Sequence, residues 1–72
     1  MPLHDSREQR QRWAAKALAA INAIEDLRRE LTVAIRTRPP IHTQLLIGEA
    51  DVHLSVAQIE LHDAIDRMNR IG

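Results

Sequence analysis

The chain has 72 residues, which suffices for one small domain (1–72) but not for a large hydrophobic core. It contains no cysteine, which excludes disulfides and thiolate metal sites as sources of stability. Ten basic and ten acidic side chains cancel, so no net charge draws the whole chain to nucleic acid or to anionic lipid. A domain of this kind is expected to gain stability by associating with something else.

The first predicted element is a long helix over about residues 5–37. Asp5 and Ser6 are both suitable N-caps, and each is followed three residues later by the Glu or Gln of a capping box. Alanine, leucine, arginine and glutamate dominate the segment, and no glycine or proline interrupts it. Pro39 and Pro40 then remove two backbone donors and end the helix. A second helix is predicted over about residues 41–70.

Apolar residues in both predicted helices recur at alternating intervals of three and four residues, the period of a coiled-coil seam. A short link favours antiparallel neighbours, so the predicted fold is all-α, an antiparallel two-helix hairpin joined by a Pro-Pro link. Trp13 is the single aromatic residue and is predicted to cap the open end of the core; anchoring a partner is the alternative. The predicted core within the hairpin is Trp13, Ile24, Leu27, Leu31, Ile47, Leu54, Leu61 and Met68.

A second apolar pattern lies on the back of the second helix. Leu45, Val52, Val56 and Ile59 fall about 160° from the seam, at roughly 100° per residue. A hairpin alone in water would expose all four, and a stripe of that length indicates an interface. The stripe predicts that two hairpins dimerise into a four-helix bundle; the alternative is that a different protein docks there. Gly48, on the same side, indicates either a close backbone approach or a local kink.

The residues that could act in catalysis or bind a metal form no recognisable site. His53 and His62 are nine residues apart, on opposite sides of the second helix, so one copy cannot hold a single ion with both. Ser6 is explained as a cap, and no glycine-rich loop is present to hold a phosphate. Two thin helices are also expected to form no pocket of several hundred Å³. We therefore predict a non-catalytic protein without cofactor, bound metal or small-molecule substrate.

The charges are unevenly distributed. Residues 1–38 hold eight basic and five acidic groups, whereas residues 39–72 hold two basic and five acidic groups. This asymmetry favours pairing of the two arms, or alternatively a nucleic-acid face on the first helix that acidic neighbours dilute. The candidate polar or nucleic-acid contacts are Arg7, Arg10, Arg12, Lys16, Arg29 and Arg36.

The predicted function is that of a small regulatory interaction protein. A homodimeric hairpin would bind and regulate or occlude a protein partner, as adaptors, antitoxin-like proteins and phage-type inhibitors do. The alternatives are an RNA- or DNA-binding helical dimer and a structural assembly unit. The polar start of the chain and the lack of an apolar run of about 18 residues predict a cytoplasmic protein with no membrane association. Nine arginines against one lysine indicate a bacterial or phage origin.

Overall fold

A computed structural model describes residues 7–70, which fold into two long α-helices packed side by side. Helix α1 spans Arg7–Arg36 and helix α2 spans Ile41–Arg70. The molecule measures 55 × 22 × 15 Å, the shape of a helical hairpin. The two predicted helices are confirmed, and at the link their ends, Arg36 and Ile41, agree with the predicted ends to within one residue. The predicted N-caps, Asp5 and Ser6, lie outside the described residues.

The link between the helices is Thr37–Pro40, and hydrogen bonds order it from both sides. Arg38 has a φ of 55°, in the left-handed region, and its amide donates to the Ile35 carbonyl at 3.2 Å. This is the inner bond of a Schellman helix end; the outer bond is missing because Pro39 has no N–H. On the other side, the Gln44 amide donates to the Pro40 carbonyl at 3.0 Å, and the Gln44 side chain donates to the Pro39 carbonyl at 2.7 Å.

Helix α1 turns a different side toward α2 than the apolar pattern predicts. Trp13 and Leu27, both predicted in the hairpin core, are 47% and 42% exposed, so the prediction is wrong for these two side chains. The other six predicted core residues are half-buried: Ile24, Leu31, Ile47, Leu54, Leu61 and Met68. The packed side of α1 follows intervals of four and three along Arg10, Ala14, Ala17, Ile21, Ile24, Arg28 and Leu31. This seam overlaps the predicted one but includes two arginines.

The core of the single hairpin is very small. Within residues 7–70, Ile21 is the one apolar side chain that is buried, at 1% exposure. Eleven large apolar side chains in the same range are exposed. No helix in the described part of the chain is long and apolar enough to cross a membrane. Within the described part of the chain, the hairpin therefore leaves more large apolar side chains exposed than it buries.

Candidate functional site

The clearest candidate site is the back of α2, where the structure leaves an apolar surface uncovered. We call Leu45, Val52, Val56 and Ile59 the α2 stripe; their exposures are 69%, 61%, 47% and 66%. At about 100° per residue they lie within roughly 40° of Val52, on the side opposite the half-buried residues that face α1. This stripe, on a helix backed by α1, presents a continuous apolar row to any molecule that approaches.

Gly48 lies within the α2 stripe, and the hairpin itself gives no reason for it. A Cβ built on Gly48 would have no neighbouring atom within 4 Å. Glycine in a helix interior costs about 1 kcal/mol relative to alanine. The hairpin places no atom against Gly48, so a close backbone approach from outside and a local kink both stay predictions.

A second exposed apolar surface lies on α1. Trp13, Ala20 and Leu27 recur every seven residues and are all exposed; we call them the α1 flank. They lie roughly 80–120° around α1 from the buried Ile21, so they border the contact between the helices without entering it. The apolar arc of α1 is thus wider than α2 alone can cover.

A polar cluster joins the two helices near their middle. Arg28 Nε donates to Asp51 Oδ1 at 2.8 Å, and a second guanidinium nitrogen lies 3.4 Å from Asp51 Oδ2. The remaining terminal nitrogen donates to Gln58 Oε1 at 2.7 Å. The Arg28 and Asp51 side chains are 36% and 40% exposed, so solvent reaches both. This cluster brings together one residue of α1 and two residues seven apart on α2, which aligns the two helices along their length.

The hydrogen bonds of the cluster also shift the pKa values of Arg28 and Asp51. The bond from Arg28 lowers the pKa of Asp51 below its usual value, with the positive charge of Arg28 adding to the effect. Partial burial acts in the opposite direction and is outweighed. The same hydrogen bond raises the pKa of Arg28. Both groups are therefore more firmly charged in the folded chain than in isolation.

The polar cluster lines one side of an open groove. The groove has a volume of about 370 Å³, and its other walls are Glu25, Arg29 and Thr32. The sequence predicts no pocket of several hundred Å³. That prediction is wrong, because this open groove reaches such a volume. Its arginines are already engaged, Arg28 with Asp51 and Arg29 with Asp26 at 3.1 Å.

The histidines of α2 lie on exposed positions. His53 Nε2 is 3.8 Å from Glu49 Oε1 one turn earlier, and both side chains are mostly exposed. His62 is exposed further along the helix. Within residues 7–70, no group of three or more His, Asp or Glu side chains is placed to hold a metal ion.

The structure separates the basic residues that were predicted to contact a polar partner. Arg10 is only 8% exposed, so its assignment to an outer face is wrong; its long stem lies in the packed side of α1. Arg12 is 3.8 Å from Glu8, and Arg29 is 3.1 Å from Asp26. The exposed members of the predicted set, distributed around α1 rather than in one row, are Arg7, Arg12, Lys16, Arg29 and Arg36.

Two features of this site were not found from the sequence. The apolar periodicity does not indicate Arg10 and Arg28 as members of the packed side, because it follows apolar residues alone. The signal for Arg28 is its spacing, since it lies seven residues after Ile21 and three before Leu31. Comparison with protein-family models, curated proteins and solved structures gives no match for this chain.

Proposed function

We propose that the protein is a non-catalytic interaction module that acts as a dimer. Two hairpins associate through the α2 stripe into a four-helix assembly with the two α2 helices in the middle, and the dimer binds and occludes a functional face of a protein partner. The observation that carries the proposal is the exposure of all four stripe side chains on the side of α2 that faces away from α1. Covering each one contributes roughly 1–2 kcal/mol, a large amount beside the marginal stability of a small domain.

The partner surface that fits this arrangement is the α1 flank. A second copy on the back of α2 leaves Trp13, Ala20 and Leu27 exposed, since they lie on the other helix. Tryptophan is among the residues that most often dominate binding energy, and small residues such as Ala20 permit close contact. The exposed charges around α1 then orient the partner, whereas the apolar flank provides affinity.

The arrangement of charges favours a protein over a nucleic acid as the partner. Arg10 is buried, and Arg12 and Arg29 lie beside carboxylates on their own helix. A phosphate backbone requires a continuous row of available cations, and engaged arginines would first have to exchange partners.

Affinity capture with matched variants tests the proposed function. The bait is the full chain, in wild-type form and as Trp13→Ala and Leu18→Ala. Leu18 is also exposed on α1 but lies about 140° away from Trp13, so it serves as the control. We expect a protein that wild type and Leu18→Ala retain and Trp13→Ala loses, with all three baits dimeric by light scattering. Retention of nucleic acid whose binding falls log-linearly with salt would contradict the proposal.

A further inference from the structure

The apolar face of α2 has a defined extent. Ile41 is 71% exposed and lies on the same side of the helix as Val52, so the face begins at Ile41 and ends at Ile59. Its length is about 27 Å, and its midpoint falls near residue 50. Beyond Ile59 the same side of the helix becomes charged, with Asp63, Asp66 and Arg70 all exposed. Asp63 is paired with Arg67 of the same helix at 3.1 Å, so Asp66 is the carboxylate available to a second copy.

This change of character distinguishes the two ways in which two copies can pair. In a parallel pair, each charged position would face its own counterpart: Asp63 against Asp63, Asp66 against Asp66 and Arg70 against Arg70. Like charges that face each other across an interface destabilise it. In an antiparallel pair that overlaps the apolar faces fully, Asp63 and Asp66 extend past Ile41 of the second copy. They then lie at the level of its interhelical link, which is flanked by Arg36 and carries Arg38, both exposed.

Gly48 also fits the antiparallel pairing. With the midpoints near residue 50 superposed, Gly48 of one copy lies opposite Val52 of the other, and Ile41 lies opposite Ile59. The empty space over Gly48 accepts the branched Val52 side chain close to the symmetry axis. Each dimer then contains two such contacts, one formed by the Gly48 of each copy.

We infer that the occupant of the α2 stripe is a second copy of this chain in antiparallel orientation, held in register by Asp66 beside Arg38 of the other copy. The inference rests on the proposed dimer and specifies its geometry. It adds an electrostatic contact at each end of the interface to the apolar contact at the centre.

Disulfide trapping tests the orientation, and the absence of natural cysteines makes every engineered thiol unique. The two variants are Ile41→Cys and Ile59→Cys, both at exposed positions. In the antiparallel dimer, positions 59 of the two copies are separated by about 27 Å, far beyond the 4.4–6.8 Å between Cα atoms that a disulfide spans. We expect neither variant to cross-link with itself, whereas an oxidised mixture of the two gives a covalent heterodimer. Sedimentation under reducing conditions verifies that each variant is dimeric.

The outcomes distinguish a wrong orientation of the dimer from the absence of a dimer. If Ile59→Cys formed a disulfide with itself and the oxidised mixture gave no covalent heterodimer of the two variants, the dimer would be parallel. That result would overturn the inference. A wild-type chain that sediments as a monomer would overturn the proposed self-association together with it.

A charge variant gives a second test that leaves the apolar face intact. In the antiparallel dimer, Asp66→Asn removes an attraction to the other copy, so the dissociation constant should rise about twofold to fivefold at low salt. In a parallel dimer the same change relieves a repulsion, and the dissociation constant would fall. Asp26→Asn, on the exposed side of α1, is the control and should leave the dissociation constant unchanged.

Discussion

Arg28 shows how one polar residue can determine the packing of two helices. Its position on α1 suits an apolar side chain, yet its guanidinium contacts Asp51 and Gln58 through short hydrogen bonds. A sliding of α1 along α2 by one turn would break these bonds at once. Polar groups at helix interfaces commonly specify register in this way, whatever their net effect on stability. The cluster therefore accounts for the alignment of the hairpin, and the aliphatic residues supply its cohesion.

The lowered pKa of Asp51 predicts how stability depends on pH. The folded chain holds this carboxylate more firmly ionised than the unfolded chain does, so its contribution is complete above the unfolded pKa of about 4 and is lost as the pH falls through the folded pKa. Thermal unfolding followed by circular dichroism should show a falling melting temperature in this acidic range. Asp51→Asn should melt lower at pH 7 and depend less on acid. Asp26→Asn, whose carboxylate pairs with Arg29 on the same helix at 3.1 Å, is the control, and an equal effect from it would contradict the assignment.

Gly48 predicts opposite effects on the single hairpin and on the dimer. Gly48→Ala removes the conformational cost of glycine in a helix, worth about 1 kcal/mol, and its Cβ meets nothing within the chain. The isolated hairpin should therefore gain helicity. The same Cβ would occupy the space proposed for the second copy, so the dissociation constant measured by sedimentation equilibrium should rise. A tighter dimer in Gly48→Ala would show that no close approach occurs there.

At the scale of the helices, Ile21 is the central packing residue. Ile21→Ala should destabilise the fold by roughly 2–5 kcal/mol, since it removes the one apolar side chain in residues 7–70 that the hairpin buries. The control is Val33→Ala, at an exposed position on the same helix, with an expected change within about 0.5 kcal/mol. Urea unfolding at fixed protein concentration measures both. Equal effects of the two substitutions would mean that the α1–α2 contact contributes little to folding.

The helices themselves could be predicted from the sequence, and the rotation of α1 could not. Pro39 and Pro40 interrupt the helical pattern, so the ends of both helices at the link followed from local chemistry. On α2 the apolar residues form two separate rows, which made Leu54 and Val52 easy to assign to opposite sides. On α1, Trp13 and Ile21 belong to two overlapping heptad rows, and periodicity alone does not choose between them. The structure shows Ile21 buried and Trp13 exposed, and that difference depends on the contacts between the two helices.

For the whole molecule, the two exposed apolar surfaces have different characters. The α2 stripe is aliphatic, long and symmetric about its middle, which suits a second copy of the same chain. The α1 flank is shorter and contains the single tryptophan, which suits a different protein. An 8.2 kDa chain with one buried apolar residue in its described part is expected to have little stability of its own. Association and folding are therefore expected to be coupled, and the melting temperature should rise with protein concentration.

The most direct test of this account is the mass of the protein in solution. Sedimentation equilibrium at micromolar concentration should give about 16.4 kDa, twice the 8.2 kDa of one chain. Val52→Glu places a charge in the middle of the α2 stripe and should shift the protein to monomers of reduced helicity, whereas Val33→Glu on α1 should leave the dimer intact. A wild-type chain that is a stably folded 8.2 kDa monomer would contradict the account, since the stripe would then be exposed to water without a partner.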